Sequence, residues 1–319
     1  MANQLETWQF IAQRLSLDEP VTLLVVAESS GSTPGRQGFK MAVAEDELCG
    51  SIGGGVMEVA LVEDSRLKIQ NSEETPLIRE QVHRKDVANS SGMICSGKQT
   101  VVVKRLTTKE LPAIQEIISV VENNQDRNLR ITNNELRIAN SENPGFNFER
   151  IGENGFLYEE RLGFKNKLFI IGGGHCALAL SELMSKMDFH ITLFDDRSDL
   201  NTLAKNDFVH EKKIIGSYEG IGEHIESGEN VYVVVMTLGF KFDETVVRKL
   251  FDKNFKYFGV LGSKAKMAVL LKDLENDGFD IERLDRIHTP IGVEINSRTP
   301  EEIAVSIAAE IIAVKNAKG

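Results

Sequence analysis

The chain has 319 residues, 41% hydrophobic and 27% charged, a balance that is ordinary for a soluble globular protein of two domains. Lys and Arg number 37 against 48 Asp and Glu, so the net charge is −11 and nothing indicates nonspecific nucleic-acid binding. No apolar run approaches the ~20 residues of a membrane span, and the amino terminus lacks the basic-then-apolar layout of a signal peptide.

The cysteine content restricts both the compartment and the chemistry. There are three cysteines, Cys49, Cys95 and Cys176, and an odd number in a chain of this length predicts reduced thiols and a cytoplasmic location. Two iron–sulfur clusters need about eight cysteine ligands. The chain is therefore not a complete iron–sulfur flavoprotein hydroxylase.

The first half of the chain predicts a mixed α+β domain. In chain order, the patterns predict a helix over 5–15, strands over 21–27 and 40–44, a loop over 29–38, a helix over 56–69, a strand over 100–106, a helix over 111–121 and a hairpin around 133–134. Residues 140–163 contain turn formers and no sustained period, which favours the tail of the first domain and a connector. We therefore expect domains at 1–163 and 164–319.

Two segments of this half have the composition of anion-binding loops. The loop 29–38 offers hydroxyl groups, including that of Ser32, and the side chain of Arg36. Gly53, Gly54 and Gly55 lead directly into a predicted helix, whose first amides can hold a phosphate; alternatively, these glycines only permit a tight turn. Cys95 is either an exposed nucleophile, whose pKa Lys98 would lower, or a small buried apolar residue.

A nucleotide-binding pattern opens the second half. An apolar run over 168–171 precedes Gly172, Gly173 and Gly174, a helical segment follows, and a second apolar run over 191–194 ends at Asp195. The spacing fits G-x-G-x-x-G/A, and Asp195 lies 21 residues beyond Gly174, where an acid that binds ribose is expected. Alternatively, the fold is Rossmann-like and its pocket holds another ligand or none.

Strand and helix patterns then alternate to the end of the chain. Strands are predicted over 209–215, 231–236 and 257–261, and helices over 218–226, 243–252, 264–275 and from Pro300 onward. Such alternation predicts a doubly wound parallel sheet with helices on both faces, and ligands at the carboxyl ends of its strands. The candidate ligand contacts at these ends are Gly172–Gly174, His175, Asp195, residues 237–239, and Gly262, Ser263 and Lys264.

The motifs, taken in order, resemble those of the XdhC/CoxI-type xanthine dehydrogenase accessory factors. They are GSTPGRQGFKM, GSIGGGVME, the Cys95 stretch, IIGGGH, FDDR, GVLGSKAK and HTPIGVEINSRTPEEIAVSIAAEI. Three positions depart from the family pattern. Val56 stands where members often have a cysteine, Ser96 follows Cys95 where Cys-Gly-Gly is common, and Arg36 falls one place later than usual.

The resemblance implies a homodimeric cytoplasmic factor rather than a dehydrogenase. Such a factor binds the molybdenum cofactor, a molybdopterin with or without a nucleotide extension. It assists sulfuration of the cofactor by a cysteine desulfurase and delivers it to a molybdenum hydroxylase client. Cys95 is then the candidate thiol for the molybdenum, and Val56 leaves a relay of two cysteines unsupported.

Two other functions are compatible with the sequence. One is an NAD(P)-dependent oxidoreductase that uses the Rossmann pocket, where Asp195 favours NAD and Arg197 keeps NADP open. The other is a nucleotide-sensing or assembly module without catalysis.

Overall fold

The computed structural model describes residues 2–71, 78–83, 97–140, 145–152 and 155–317. The chain divides into two compact units, an amino-terminal unit of residues 2–163 and a carboxyl-terminal unit of residues 164–319. Among the helices of these described ranges, none is long and apolar enough to cross a membrane.

In its described residues, the amino-terminal unit has two antiparallel sheets and three α-helices. Its elements are α1 (Ala2–Ser16), β1 (Val21–Gly31), β2 (Lys40–Val43), β3 (Leu48–Gly50), α2 (Val56–Gln70), β4 (Ile78–His83), β5 (Gly97–Leu106), α3 (Leu111–Glu122), β6 (Arg127–Thr132), β7 (Leu136–Asn140), β8 (Phe146–Ile151) and β9 (Gly155–Arg161). The strand orders are β3-β2-β1-β5-β4 and β7-β6-β9-β8.

Apolar side chains on both faces of β1 place this strand at the centre of the unit. Leu23 and Val25 point into the larger core, where α1 contributes Trp8, and Leu24 and Val26 point into a smaller core that includes residues of α2. The predicted helices and the hairpin of β6 and β7 are confirmed. The α+β class predicted for this half is therefore correct.

Two predictions for this unit need correction. Residues 29–31 continue β1 instead of opening the loop, because they pair with β5. The connector predicted over 140–163 is wrong, since β8 and β9 form a hairpin there and β9 also pairs with β6. Inward-facing Glu160 on β9 interrupts the apolar alternation by which a strand is recognised.

The carboxyl-terminal unit alternates strands and helices. Its elements are β10 (Asn166–Ile171), α4 (His175–Ser185), β11 (Phe189–Asp195), α5 (Asn201–Lys205), β12 (Glu211–Ile214), α6 (Ile221–His224), β13 (Gly228–Val235), α7 (Phe240–Leu250), β14 (Phe255–Val260), α8 (Lys264–Asn276), α9 (Ile281–Leu284) and α10 (Pro300–Asn316). The predicted helix 218–226 is instead a 3-10 turn followed by the short α6.

The five strands of this unit are all parallel, in the order β12-β11-β10-β13-β14. Leu168 and Ile170 of β10 pack on the face covered by α4 and α10, whereas Phe169 and Ile171 pack on the face covered by α7 and α8. The strand order reverses direction at β10, and in such sheets ligands bind outside the carboxyl ends of the strands at this point. The predicted doubly wound, Rossmann-like sheet is confirmed.

Candidate functional site

The loop of residues 172–174 joins the central strand β10 to α4. Gly172 has φ +107°, and a Cβ atom on it would stand 2.3 Å from the carbonyl oxygen of Met236. Only glycine fits this backbone without displacing the neighbouring strand end. The turn therefore brings the start of α4 close to the sheet.

The start of α4 is open. A Cβ atom on Gly174 would meet nothing within 4 Å, and no side chain caps the helix there. The first intrahelical bond runs from the Leu178 amide to the Gly174 carbonyl, which leaves the amides of residues 175–177 for an anion. His175 is exposed beside them, whereas burial, with a further contribution from Glu301, raises the pKa of the half-buried Cys176 thiol.

Asp195, the predicted ribose acceptor, ends β11 with its carboxylate fully engaged. Its Oδ2 accepts from the Gly173 amide at 2.5 Å and from Nη2 of Arg197 at 3.0 Å. Its Oδ1 accepts from the Arg197 amide and from Nε of Arg197, both at 2.9 Å. A carboxylate has about four acceptor positions, so a ribose hydroxyl would have to displace Arg197. The ribose-binding role of Asp195 stays a prediction.

The charge of Asp195 is stabilised where it stands. Burial alone raises the pKa of this carboxyl, but the hydrogen bonds from Arg197 and Gly173 outweigh that effect and hold its pKa below the ordinary value. The side chain of Arg197 is 29% exposed. At this end of β11 a ligand can meet the guanidinium of Arg197 and also the carboxylate of Asp196, whose side chain is 25% exposed and lies 3.6 Å from Nε of Arg197.

A polar network that the sequence analysis did not identify lies at the end of β13. The buried Asp243 of α7 accepts from the Thr237 hydroxyl at 2.5 Å and from the Thr237 amide at 3.1 Å. Lys266 of α8 donates to the same carboxylate at 2.9 Å. Asp243 lies six residues beyond Thr237, in the first turn of α7. An acid at this position after a strand is the feature of the sequence that could have indicated the network.

Residues 262–264 follow the edge strand β14. Ser263 caps α8 by accepting from the Lys266 amide at 3.2 Å. The side chain of Lys264 is 79% exposed and pairs with Glu294. A pocket of about 290 Å³ adjoins this strand end; its lining residues are Leu261, Lys264, residues 290–297, Ile303 and Ser306. The structure thus places the 172–174 loop, Asp195, Thr237 and residues 262–264 at carboxyl ends of parallel strands.

In the amino-terminal unit, the 53–55 loop already holds a carboxylate of the chain itself. Gly53, Gly54 and Gly55 all have positive φ. Oε2 of Glu58, in the first turn of α2, accepts from the Ile52 amide at 2.8 Å and from the Gly54 amide at 2.9 Å. A phosphate would bind these amides only after Glu58 moved away. Anion binding by this loop stays a prediction, and it requires that Glu58 move away from the amides.

The 53–55 loop interlocks with the loop of residues 32–38. A Cβ atom on Gly35 would stand 2.1 Å from the Ile52 carbonyl oxygen, and one on Gly53 would stand 2.3 Å from the Gly35 amide nitrogen. Ser32 and Arg36 lie exposed on the second of these loops. Both side chains are therefore accessible to solvent, and their ligand-binding role stays a prediction.

The predicted thiol, Cys95, lies outside the described residues, so its role stays a prediction. The strand that follows it is described: Gly97 of β5 pairs with Gly31, next to Ser32. Within the described ranges, no group of three or more His, Cys, Asp or Glu side chains is arranged to hold a metal ion.

The fold and these sites define a protein of two units, an α+β unit and a Rossmann-type α/β unit with an open helix terminus at its switch point. A family model described as the XdhC Rossmann domain matches residues 168–311, and one described as the XdhC and CoxI family matches residues 15–80. The chain belongs to the XdhC and CoxI family.

Two curated relatives are longer than this chain. The uncharacterized protein YqeB of Escherichia coli K12 is 24% identical over 301 residues, which are 93% of this chain and 44% of that protein. A probable subunit of xanthine dehydrogenase from Bacillus subtilis is 27% identical over 157 residues, which are 49% of this chain and 45% of that protein. The chain thus spans less than half of the length of these relatives.

A solved structure shares the fold over the whole chain. The crystal structure of a xanthine dehydrogenase from Bacillus halodurans has a TM-score of 0.72 and covers 99% of this chain and 96% of its own, at 20% identity. At that identity the likeness establishes the fold alone.

Proposed function

We propose that this protein is an accessory factor for a molybdenum hydroxylase of the xanthine dehydrogenase class. In this proposal it is a homodimer that binds and protects the molybdenum cofactor, assists its sulfuration by a cysteine desulfurase, and delivers it to the client enzyme. The observation that carries the proposal is the match of both units to the XdhC and CoxI family. The name of the Bacillus subtilis relative, a probable subunit of xanthine dehydrogenase, supports the class of client.

The chemistry of the cofactor suits the open end of α4. The cofactor is an oxidation-labile pterin that carries a phosphate, so a carrier must offer donors to an anion. The amides of residues 175–177 and the guanidinium of Arg197 lie at the same edge of the Rossmann sheet and are such donors. In this proposal they hold the phosphate. Cys95, which lies outside the described residues, stays the candidate thiol for the molybdenum as a separate prediction.

The oxidoreductase hypothesis has less support from the geometry. A dinucleotide bound in the usual way places its ribose hydroxyls on the acid after the second strand. Here that acid is Asp195, and Arg197 and Gly173 occupy its oxygens. An NAD(P)-dependent activity therefore requires a rearrangement that cofactor delivery through the α4 amides does not.

The proposal is tested by mixing the purified protein anaerobically with the isolated cofactor and measuring comigration in gel filtration. Gly174→Asp places a negative charge at the start of α4 without a steric clash, and we expect it to weaken retention about tenfold or more, the worth of one charge-assisted contact. Gly145→Asp adds the same charge at another open glycine and controls for net charge. Lack of retention by the wild-type protein would refute the proposal.

Further arms of the experiment separate the alternatives. Calorimetric titration with NADH and NADPH tests the oxidoreductase hypothesis, which micromolar binding would favour. Capture of a molybdenum hydroxylase client without any dependence on the cofactor would favour an assembly module. Loss of retention in Cys95→Ala is the result expected if that thiol contacts the molybdenum.

A further inference from the structure

The edge strand β14 borders a large cavity away from the glycine loop of the Rossmann unit. His288 covers the carboxyl-terminal part of this edge: its amide donates to the Phe258 carbonyl at 2.8 Å, and its carbonyl accepts from the Val260 amide at 3.0 Å. Towards the amino-terminal end of β14, next to that contact, lies a cavity of about 590 Å³. Its lining residues are Glu229, Phe251, residues 253–258, Arg283 and residues 285–288.

This cavity is separate from the candidate site already described. It follows the amino-terminal half of β14, at one edge of the sheet, and reaches Glu229 near the start of β13. The 172–174 loop lies at the opposite end of the strands, after the central β10. A ligand in the cavity would therefore use different side chains from a ligand at α4.

The cavity is cationic in an acidic chain. Its lining contains Lys253, Lys256, Arg283 and Arg286 against two acids, Glu229 and Asp285, although the chain carries a net charge of −11. Lys253 donates to the Ile225 carbonyl at 2.6 Å, and Arg283 lies 3.7 Å from Asp252. No ion pair engages Lys256 or Arg286 among the residues that the structure describes. These two cations are available to an anionic ligand.

An imidazole held in a fixed orientation completes the cavity wall. Nδ1 of His288 lies 3.2 Å from Oε1 of Glu310. Oε2 of Glu310 accepts from the Tyr257 hydroxyl at 2.5 Å and from the Gly292 amide at 2.8 Å, and the Tyr257 ring stacks on His288 at 4.5 Å between centroids. Because an ionised carboxylate only accepts hydrogen bonds, the proton stands on Nδ1 and leaves Nε2 for a ligand.

We propose that this cavity is a second anion-binding site, which takes a phosphorylated small molecule. Lys256 and Arg286 pair with the phosphate oxygens, and Nε2 of His288 contacts a hydroxyl group or a protonated phosphate oxygen of the ligand. The volume is within the range of about 300–1,000 Å³ that is typical of small-molecule sites. The fixed imidazole and the mixed polar lining favour such a ligand over an acidic peptide added to the edge of β14.

The probe is inorganic pyrophosphate, titrated calorimetrically into the full chain. We expect Lys256→Gln with Arg286→Gln to weaken binding about tenfold or more, since each removes a charge-assisted contact. Lys212→Gln with Lys213→Gln removes the same charge from β12, at the opposite edge of the sheet, and should leave the affinity unchanged. Because the proposed function also assigns a phosphate to the start of α4, these titrations are made in the Gly174→Asp background, in which that start is blocked and a single pyrophosphate site is expected.

The histidine supplies a readout that a structural role would not change. In NMR spectra we expect the His288 imidazole resonances to shift on addition of pyrophosphate in the wild-type protein, and to stay in place in the variant that lacks both Lys256 and Arg286. Circular dichroism checks that this variant is folded. Three results would overturn the proposal: no binding by the wild-type protein, equal affinity in the doubly substituted variant, or an acidic peptide that binds where pyrophosphate does not.

Discussion

Carboxylates of the chain itself occupy both glycine-rich loops. Glu58 accepts from the 53–55 loop, and Asp195 accepts from Gly173 in the 172–174 loop. In each case a single side chain takes backbone donors that the glycine pattern assigns to a ligand. The two loops differ in the helix that follows, because the first amides of α4, after Gly174, remain open to a ligand.

The charge of Asp195 makes the stability of the Rossmann unit depend on pH. Its pKa is held below the ordinary 3.8 by Arg197 and Gly173 despite burial, so on acidification the unfolded chain takes up this proton before the folded chain does. The stabilisation is complete above about pH 5 and is lost as the pH falls from there through the folded pKa. Asp195→Asn should be less stable at neutral pH and should show a smaller loss on acidification.

Thermal unfolding followed by circular dichroism at about pH 7 and about pH 3 measures both quantities. Asp207→Asn, which changes an exposed carboxyl of the same unit, is the control. Equal acid sensitivity of the wild-type protein and Asp195→Asn would show that this ion pair does not stabilise the fold.

Gly35 is required by the contact between the two loops of the amino-terminal unit. A methyl group there would stand 2.1 Å from the Ile52 carbonyl oxygen, so we expect Gly35→Ala to lower the free energy of unfolding by about 1–3 kcal/mol. Gly145→Ala, at a glycine with open space around it, should have little effect. Trp8 is the only tryptophan and is buried in this unit, so its fluorescence during urea unfolding reports the difference; identical midpoints would refute the clash.

At the scale of elements, a buried ion pair joins the two sheets of the amino-terminal unit. Nζ of Lys40, on β2, lies 2.6 Å from both carboxylate oxygens of Glu160, on β9, and both side chains are at most 2% exposed. Tyr158 donates to the same carboxylate at 2.5 Å. Lys40 and Glu160 are thus both buried and paired, and each neutralises the charge of the other.

Removing one charge of this ion pair should lower the free energy of unfolding more than removing both charges. Lys40→Met leaves Glu160 charged and buried, and we expect a loss of about 3–5 kcal/mol in the free energy of unfolding. Lys40→Met with Glu160→Gln removes both charges and should recover part of that loss. Trp8 fluorescence in urea measures the cycle, and strictly additive losses would contradict coupling between the two residues.

The sequence predicted elements with a strong period and missed those that depend on tertiary partners. The helix predicted after Gly174 is α4, whose buried Ala177, Leu180 and Met184 lie at helical spacing. The helix predicted from Pro300 onward is α10, which begins with a capping box of Thr299 and Glu302. The strand β9 escaped prediction because Glu160 is neutralised by Lys40, which lies far away in the sequence. Such pairing is visible only once the chain has folded.

The candidate site shows the same division. The fingerprint placed Gly172–Gly174 and Asp195 at the carboxyl ends of strands, as the structure has them, because strand ends and glycine turns are encoded locally. It could not show that Arg197 fills the oxygens of Asp195, or that Glu58 fills the 53–55 loop, since both depend on side-chain directions. Asp243 with Lys266, and His288 with Glu310, join different elements and have no local pattern.

At the scale of the whole molecule, each unit has its own hydrophobic core. Two clusters of buried side chains draw on residues 8–162, and two others draw on residues 168–311. A core of its own is the condition for a domain to fold alone. The segment that begins the Rossmann unit, residues 164–167, adds contacts within that unit before its first core residue.

We therefore expect residues 164–319 to fold when expressed alone, with one cooperative unfolding transition. A fragment that begins at residue 168 loses the first two residues of β10 and several side-chain contacts. Among them, Phe164 packs on His210 at 4.4 Å between centroids, the Lys165 carbonyl accepts from Asn230 at 3.0 Å, and Asn166 donates to the Asp188 carbonyl at 3.0 Å. At about 1 kcal/mol for each hydrogen bond, the shorter fragment should unfold at a clearly lower urea concentration. Circular dichroism compares the two fragments. An unfolded 164–319 fragment would show that this core depends on the amino-terminal unit, and equal midpoints would show that the unit begins at residue 168.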